Sequence, residues 1–375
     1  MKIKLLILLA FINALPLRSQ LFEEVNSRIE GTLFGKVTWA DTDGDLDIFI
    51  NGLGKNNKKR AELRLNIGNL LFPDFQNNFI PVFRGDCIFA KVNEDSLPDI
   101  IYSGLDDNFK VRTFIYLNSK GNNFNYYKEL DGFVNGKVIA ADFNQDKSLD
   151  ILLIGKSSRK RECLLYLSQS GKLSKVILKL GGIMHPAISA FDYNGDSLPD
   201  LIVAGRDISF KRITRVYLNK NNGVFELIKT PLAKFSSAAI SSEDIDKNGF
   251  KDLLITGSTS KGRKTKLYLN QGGKLVESAV NIEGITRGAT SFIDFDNDGD
   301  MDMIVCGMGD DKPITKVYEN QNGDFRSVKQ EFVGLYDSSI DIGDMDNDGD
   351  SDFIINGRTE NGNYLCIIYK NLNIK

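Results

Sequence analysis

Short apolar runs of strand length alternate with polar turns along almost the whole chain. Each polar turn follows a stretch of small and apolar residues, as in AISAFD at 187–192, and precedes an apolar run, as in DLLITG at 252–257. This pattern is typical of β-strands, and no part of it leaves room for a long helix. The chain is therefore predicted to be all-β.

Three markers recur in phase and divide the chain into seven units. Acidic clusters end at Asp47, Asp99, Asp150, Asp200, Asp252, Asp302 and Asp352, at steps of 50 to 52 residues. A glycine closes the apolar run after each cluster, at Gly52, Gly104, Gly155, Gly205, Gly257, Gly307 and Gly357. A tyrosine marks the next strand, at Tyr116, Tyr166, Tyr217, Tyr268, Tyr318 and Tyr369. Such regular spacing indicates one repeat architecture.

Each unit of about fifty residues holds four short strands, which is the size of a propeller blade. Seven blades close a ring and leave no long sheet edge open. The small residues expected to line the central channel are Ala140, Ala141, Ala190 and Ala239. Residues 21–31 align with the last strand of a unit, so the N-terminal strand should complete the seventh blade. We predict one seven-bladed β-propeller with four-stranded blades over residues 20–375.

Residues 1–19 have the composition of a secretory signal peptide. Lys2 and Lys4 precede an apolar run, Leu5–Ile12, that is too short to span a bilayer as a helix. We therefore predict a secreted protein, extracellular or periplasmic, without a transmembrane segment. Removal of this leader leaves 44 basic against 50 acidic residues, a net charge near −6. That acidic balance argues against nucleic acid as a partner.

The acidic clusters place oxygen-bearing side chains at positions one, three, five and nine of a short loop. Ca²⁺ takes six to eight oxygen ligands, and position seven adds a backbone carbonyl. The predicted metal ligands are Asp142, Asn144, Asp146, Asp150, Asp192, Asn194, Asp196, Asp200, Asp244, Asp246, Asn248, Asp252, Asp294, Asp296, Asp298, Asp302, Asp344, Asp346, Asp348 and Asp352. Position six is glycine in the last three of these five loops, and Lys147 and Ser197 in the others. We expect about five Ca²⁺ ions.

The first two loops depart from the pattern. In 91–99, Lys91 occupies position one, and its ammonium can neutralise the neighbouring acids without a metal. The loop 41–47 is two residues shorter and aligns only with a gap. An EF-hand requires flanking helices and a glutamate at position twelve, where Val305 and Ile355 stand. Acidic residues also occur in ordinary hairpin turns, but recurrence in phase favours metal binding.

The repeated D-x-D/N-x-D-G/S-x-x-D, preceded by small alternating residues and followed by an apolar run ending in glycine, resembles the FG-GAP/VCBS repeat family. The best-known relatives are the integrin α-chain propellers, and the resemblance covers essentially residues 20–375. It implies a seven-bladed propeller with Ca²⁺ in the loop between the first and second strands of a blade. Family members include adhesins, lectin-like proteins and polysaccharide lyases, so the resemblance determines the fold better than the function.

The face opposite the acidic loops is the predicted binding surface. Hairpins between second and third strands are basic there, at 55–60, 159–161, 211–212 and 261–266. Loops between blades share this face, and their candidate ligand-binding residues are Phe34, Asn135, His185, Phe235, Arg287 and Tyr336. A basic rim around aromatic and polar groups suits an anionic glycan. Arg84-Gly85-Asp86 has the form of an adhesion tripeptide, but its register explains the glycine without such a role.

These features predict a calcium-binding module that binds or adheres to glycan or protein ligands and is not an enzyme. Two alternatives remain. A polysaccharide lyase, or a related carbohydrate-active enzyme, would use His185, the only histidine, although no paired acid or nucleophile is recognisable around it. A structural propeller would instead act as a scaffold for a partner protein.

Overall fold

The computed structural model describes residues 20–373 apart from 69, 76–77, 94, 120–121, 158–159 and 170. This part of the chain forms 27 β-strands and one short 3₁₀ turn, Lys55–Asn57. The predicted signal peptide, residues 1–19, lies outside the described residues. Within the described ranges, no helix has the length and apolar character needed to cross a membrane. The all-β prediction is confirmed.

The strands form seven antiparallel sheets, which we number as blades in chain order. Blade one contains β2 (Val37–Asp41), β3 (Leu46–Leu53) and β4 (Lys59–Arg64), and blade two contains β5 (Cys87–Ala90), β6 (Asp99–Leu105), β7 (Val111–Ser119) and β8 (Asn123–Asp131). Blade three contains β9 (Val134–Ala141), β10 (Asp150–Lys156), β11 (Arg161–Gln169) and β12 (Lys172–Leu178), and blade four contains β13 (Met184–Phe191), β14 (Asp200–Arg206), β15 (Arg212–Asn219) and β16 (Phe225–Ile228). Blade five contains β17 (Ser236–Glu243), β18 (Asp252–Thr259), β19 (Gly262–Asn270) and β20 (Leu275–Ser278). Blade six contains β21 (Thr286–Ile293), β22 (Asp302–Met308), β23 (Pro313–Gln321) and β24 (Asp324–Ser327), and blade seven contains β25 (Tyr336–Gly343), β26 (Asp352–Arg358), β27 (Tyr364–Asn371) and β1 (Phe22–Val25).

The N-terminal strand completes blade seven, as predicted. β1 pairs with β27 from Phe22 opposite Asn371 to Val25 opposite Ile368. The side chain of Gln330 accepts hydrogen bonds from the amides of Leu21 and Phe22, both at 2.9 Å. The first and last strands of the chain therefore lie in one sheet and close the ring.

Blade one has three regular strands in the described part of the chain, where four were predicted. In place of a fourth strand, segment 65–83 contacts β4 through two isolated bridges. Pro73 and Pro81 of this segment lack the amide donor that an outer strand needs. Phe72 and Phe79 are buried, so the segment covers the blade mainly with side chains.

The hydrophobic core consists of seven clusters, one between each pair of neighbouring blades. In β22, Met303 and Val305 face blade five, whereas Ile304 and Cys306 face blade seven. Successive side chains of a strand point to opposite faces, so a second strand between two neighbours is apolar on both. This explains the uninterrupted apolar run after each acidic loop.

The other two markers also have structural roles. The tyrosine hydroxyl of the third strand bonds to the backbone of the connection that enters its blade, as Tyr217 does to Leu180 O at 2.9 Å. The glycine that closes each apolar run approaches the first strand closely. A Cβ atom on Gly205 would lie 2.8 Å from Met184 O, so only glycine fits there.

The first strands surround a central cavity of about 250 Å³, and its lining combines small residues such as Ala187, Ala239 and Ala289 with branched apolar residues and three charged ones, Lys36, Asp86 and Lys137. Ala239 was predicted at this place. The other three predicted residues, Ala140, Ala141 and Ala190, are partly buried against the clusters between blades and do not line this cavity. The cavity is lined by earlier positions of the first strands: Ala140 and Ala141 follow the lining residue Ile139, and Ala190 lies two residues after the lining residue Ile188.

Candidate functional site

The aspartate at position nine of each acidic loop is buried and accepts two hydrogen bonds. In blade six, Asp302 accepts from the amide of Phe295 at 3.1 Å and from that of Asn320 at 2.7 Å. The same pair of backbone donors, at 2.6–3.1 Å, serves Asp99, Asp150, Asp200, Asp252 and Asp352. This aspartate joins the loop to the third strand, which explains its presence even in the two incomplete loops.

The five complete loops share one backbone shape. The position-one side chain accepts amides from within its own loop, as Asp344 does from positions five and six at 3.1 and 3.0 Å. Position six is left-handed at Lys147 (φ 72°), Ser197 (70°), Gly249 (91°), Gly299 (85°) and Gly349 (91°). This conformation favours glycine, so the loops with Lys147 and Ser197 adopt it against the preference of their side chains.

Carboxylates converge in five loops. The groups of three whose oxygen atoms lie within 4.8 Å of one another are Asp43, Asp45 and Asp47; Asp192, Asp196 and Asp200; Asp244, Asp246 and Asp252; Asp294, Asp296 and Asp302; and Asp344, Asp346 and Asp348. Among the described residues, buried oxygens of Asp45, Asp294 and Asp346 have no hydrogen-bond donor. Oxygen-rich groups with unsatisfied acceptors fit a hard divalent cation such as Ca²⁺.

These five loops are not the five favoured by the sequence. The shortened loop 41–47 brings three carboxylates together, although it aligns only with a gap. The loop 142–150 has a complete ligand set but holds no such group of three carboxylates. Asn144 at position three donates to Asp146 at 3.0 Å, but Asn194 donates to Asp196 in the same way in loop 192–200, so the asparagine does not account for the difference.

A lysine enters one acidic loop, but not the lysine that the sequence indicates. Lys91 is exposed and makes no ion pair within the described part of the chain. Lys370, on β27, instead forms ion pairs with Asp346 and, at 3.2 Å, with Asp348. An ammonium therefore lies between two predicted metal ligands of blade seven.

Burial raises the pKa of several position-nine aspartates. The pKa rises to about 7 at Asp47, Asp302 and Asp352, and to about 6 at Asp150 and Asp200. The backbone donors act in the opposite direction but do not compensate for burial, and nearby carboxylates add to the rise. At neutral pH these loops concentrate more negative charge than the protein stabilises, which favours binding of a cation.

A ring of seven residues, one from each blade, lies at the opposite end of the channel. All have a left-handed backbone: Phe34 (φ 54°), Arg84 (59°), Asn135 (50°), His185 (47°), Ser237 (47°), Arg287 (51°) and Asp337 (49°). They recur at steps of 50 to 52 residues and lie at or just before the first strand of each blade. Together they line a pocket of about 230 Å³, here called the ring pocket.

The ring pocket carries a surplus of positive charge. Arg287 donates from Nε to Asp337 Oδ1 at 2.7 Å, and a second bond joins the same two side chains. The Arg84 guanidinium lies 5.2 Å from the centre of the Phe34 ring. Partial burial, Arg161 and Arg84 lower the pKa of His185, so its imidazole is neutral at neutral pH.

Beneath the ring, a buried carboxylate lies between two lysines. Asp86 Oδ1 is 3.7 Å from Lys36 Nζ and 3.5 Å from Lys137 Nζ, and Asp86 accepts a hydrogen bond from the amide of Val138 at 3.0 Å. Burial opposes ionisation, but Lys137 and Lys36 lower the pKa of Asp86 overall. Only 3% of Asp86 is exposed, so the Arg84-Gly85-Asp86 tripeptide does not present its acid to solvent.

Four of the candidate ligand-binding residues, Phe34, Asn135, His185 and Arg287, meet in the ring pocket. Phe235 does not line it, because this ring is fully buried between blades four and five. Tyr336 is also buried, with the guanidinium of Arg287 4.7 Å from its ring centre.

The lining residues that sequence reasoning missed include Arg84, Lys137, Ser237 and Asp337. Three of them could have been found by extending the spacing of 50 to 52 residues from Phe34, Asn135, His185 and Arg287 to every blade. Lys137 lies outside that series, two residues after Asn135.

The basic hairpins lie on the same face as the ring pocket, but much of their charge is paired. Lys59 is 3.1 Å from Asp107, and Arg263 is 3.0 Å from Asp310. Arg60 forms ion pairs with two glutamates. Arg159 lies outside the described residues. Lys55, Lys58, Lys211, Lys261 and Lys264 form no ion pair among the described residues, so the basic rim keeps part of its charge beside the ring pocket.

Comparisons with known proteins identify the repeat. A model of the FG-GAP-like repeat matches residues 192–255, 244–305 and 294–355, which include four of the acidic loops. No curated protein matches the chain significantly.

Solved structures with a similar shape share little sequence with this chain. AofleA from Arthrobotrys oligospora is 11% identical, with a TM-score of 0.48, covering 81% of this chain and 88% of its own. The fucose-specific lectin of Aleuria aurantia is 12% identical, with a TM-score of 0.45, covering 80% of this chain and 96% of its own. A mannose phosphorylase from Leishmania mexicana is 13% identical, with a TM-score of 0.35, covering 67% and 88%. Similarities this distant carry no argument about function. The matched repeats at 192–355, in register with a closed ring of seven sheets, support an FG-GAP repeat β-propeller.

Proposed function

We propose that this propeller is exported, is stabilised by Ca²⁺ and binds an anionic glycan in the ring pocket. The observation that carries the proposal is the convergence of all seven blades on one positively charged pocket. Arg84, Lys137 and Arg287 bring three cationic groups to it, and Asp337 is the carboxylate among its described lining residues. It lies on the axis, where each blade contributes one residue of the ring.

The size and chemistry of the pocket fit a sugar that carries an acid group. Pockets for drug-sized ligands span roughly 300–1,000 Å³, so a volume of about 230 Å³ suits a single sugar residue. Arginine binds carboxylate and sulfate through paired hydrogen bonds. Asn135 and Ser237 offer hydrogen bonds to hydroxyl groups, and Phe34 offers an apolar face.

Calcium would occupy the acidic loops on the other face, where the converging aspartates would hold it. When bound, the ion would neutralise the clustered carboxylates and fix the hairpins that join first and second strands. Its proposed role is to stabilise the ring, since no acidic loop contributes a described lining residue to the ring pocket. Export is proposed from the composition of residues 1–19.

Calorimetric titration with uronic-acid and sulfated oligosaccharides tests the binding proposal. The double variant Arg84→Gln, Lys137→Gln should bind at least about 100-fold more weakly, because it removes two charged hydrogen bonds that contribute about 1.5–3 kcal/mol each. Arg326→Gln is the control, since Arg326 pairs with Asp324 on the exposed outer strand β24. Equal binding by both variants, or no binding of any acidic glycan by the wild type, would refute the proposal.

A lyase is the second candidate, and His185 is the observation that favours it. Its neutral imidazole lies in the ring pocket together with Arg84, so it could accept a proton from a sugar whose carboxylate is held by an arginine. Release of unsaturated products from acidic polysaccharide, lost in His185→Ala, would establish this activity. Binding without product release would leave the pocket as a recognition site.

A further inference from the structure

Three hairpins between second and third strands share one geometry. The segments 106–110, 207–211 and 359–363 each form two backbone hydrogen bonds, from residue one to the carbonyl of residue five and from residue four to that of residue one, at 2.8–3.1 Å. This is a turn followed by one left-handed residue. The fourth residue of each hairpin therefore needs a positive φ.

Only one of these hairpins has glycine at the left-handed position. Gly362 in blade seven has a φ of 85°, whereas Phe109 in blade two and Phe210 in blade four have φ values of 56° and 63°. A bulky side chain is unfavourable in this conformation. The strained residue is phenylalanine in both hairpins, although Gly362 shows that glycine fits the same turn.

These two phenylalanines bury little surface in return. Phe109 is 77% exposed and Phe210 is 69% exposed, and the adjacent Ile208 is 73% exposed. Most other large exposed apolar side chains, such as Tyr126, Ile177, Leu227 and Val276, lie on outer strands. The hairpin tips of blades two and four thus present apolar side chains at the end of the propeller.

The tips are rigid. Asp106 Oδ1 accepts hydrogen bonds from the amides of Asn108 and Lys110, at 2.9 and 2.8 Å. Asp207 Oδ1 makes the equivalent pair, at 2.9 and 3.0 Å. Because each turn is fixed by its own aspartate, the phenylalanine cannot easily fold back onto the protein.

Both tips lie on the same face as the ring pocket. Leu105, just before the first tip, is bridged to Phe83, the neighbour of Arg84 in the ring. Arg206, just before the second tip, pairs with Met184, the neighbour of His185. The face therefore carries two apolar tips on blades separated by blade three.

Cations accompany both tips. The Lys59 ammonium lies 4.9 Å from the centre of the Phe109 ring, and Lys110 is exposed beside it. Lys211 is exposed beside Phe210. At the first tip Asp106 pairs with Arg112 at 2.9 Å and Asp107 pairs with Lys59, so Lys110 is the cation there without an ion pair among the described residues. At the second tip Asp207 binds backbone amides and Lys211 stands exposed beside it.

We propose that this face docks on an anionic lipid surface, with Phe109, Ile208 and Phe210 entering the apolar layer. A flat surface can contact two separated tips at once, and the lysines complement its negative charge. Ile208 has no aromatic face for stacking on a sugar, so the set fits hydrocarbon better than a glycan. The proposal does not depend on the function of the ring pocket.

Co-sedimentation with vesicles of phosphatidylcholine, with and without an equimolar amount of phosphatidylglycerol, tests the docking. The wild type should bind the anionic vesicles and bind the neutral ones more weakly. Phe109→Gly together with Phe210→Gly copies the blade-seven turn, so the variant should fold at least as stably as the wild type. Its affinity for the anionic vesicles should fall at least about tenfold. Leu227→Ser, which removes an exposed side chain from the outer strand β16, should bind as the wild type does.

Two further results decide the matter. In Phe109→Trp, addition of anionic vesicles should shift the tryptophan emission to shorter wavelength, because the ring enters an apolar environment. The proposal would be overturned if the wild-type protein did not bind anionic vesicles, or if the double glycine variant bound them as tightly as the wild type does. Loss of glycan or protein binding in that variant, without any vesicle binding by the wild type, would also overturn it and assign the tips to that ligand.

Discussion

Blades six and seven carry nearly the same acidic loop but surround it differently. The loops DFDNDGDMD at 294–302 and DMDNDGDSD at 344–352 share all their aspartates and the glycine at position six. The residue after the tyrosine in the third strand is Glu319 in blade six and Lys370 in blade seven. Four other blades have leucine there, at Leu117, Leu167, Leu218 and Leu269.

The two neighbours have opposite electrostatic effects. In blade six, burial and the surrounding acids, Glu319 among them, raise the pKa of Asp296. Lys247 reaches this loop only from outside, where its exposed ammonium is 2.8 Å from Asp300. In blade seven the Lys370 ammonium lies among the ligands themselves.

The difference teaches that the loop motif alone does not set the strength of a cation site. Blade six leaves its aspartates uncompensated, so it should bind Ca²⁺ more tightly. Blade seven already holds the Lys370 ammonium. Ca²⁺ must either displace this ammonium or share the aspartate ligands with it. The residue responsible lies in another strand, about twenty positions along the chain from the loop it affects.

The largest expected effect is a loss of stability that should be the same in both blades, because the position-nine aspartate has the same two hydrogen bonds in each. Asp302→Ala and Asp352→Ala each leave two buried amides without an acceptor, at about 1–3 kcal/mol apiece. With calcium chelated, both variants should lose about 2–6 kcal/mol of unfolding free energy. Urea denaturation in EDTA measures this. A loss seen only with calcium would show that these residues act as metal ligands and not as structural acceptors.

The next effect separates the blades. In saturating calcium, Asp296→Asn should remove most of one site, about 2.7 kcal/mol if the ion is present at 100 times its dissociation constant. Asp346→Asn should remove less calcium-dependent stability, because Lys370 already weakens that site. Melting temperatures with and without calcium give the two values. Equal losses would contradict the comparison.

Exchange of the third-strand neighbours should alter calcium affinity directly. Lys370→Leu removes a positive charge 3.2 Å from Asp348 and should strengthen the blade-seven site about tenfold, a modest value because the pair is partly exposed. Without calcium the same variant should be less stable than the wild type. Calorimetric titration measures the affinity.

Glu319→Leu is the matched variant in blade six. It should weaken that site a few-fold, since Glu319 adds negative charge near Asp296. If both leucine variants change affinity in the same direction, the charge explanation is wrong.

The smallest expected difference between the blades concerns pH. Burial raises the pKa of both Asp302 and Asp352 to about 7, above the ordinary value of 3.8. In EDTA, stability from these groups should be full below about pH 4 and fall as the pH rises through 7, because the folded state holds their protons more tightly. Calcium should flatten this profile. Asp302→Asn and Asp352→Asn should each reduce the slope equally, and unequal slopes would show that Lys370 also affects Asp352.

The fold was predictable because its markers are local and repeat in phase. Each apolar run, tyrosine and glycine serves the same contact in successive blades, so seven copies reinforce one interpretation. The outer edge of blade one was not predictable in detail, because segment 65–83 replaces a strand and its prolines give only a negative signal.

The candidate sites were predictable only in part. The positions of the acidic loops could be predicted from the repeat spacing. The contact of Lys370 could not, because Lys370 lies on β27 and is not part of the loop motif. In the ring pocket, the sequence register was one residue off at Tyr336 and two off at Phe235. Phe235 is buried in the hydrophobic cluster between blades four and five, and Tyr336 is buried beneath the guanidinium groups of Arg287 and Arg358.

The pairing of β1 with β27 has a consequence for biogenesis. The strand made first finds its partner only in the strand made last, so a nascent chain leaves both edges of the unfinished array unpaired until Asn371 has emerged from the ribosome. A truncation that removes β1 or β27 should therefore expose a strand edge with unpaired backbone groups and promote aggregation. Fusion partners are better attached through a long linker than inserted directly before Phe22.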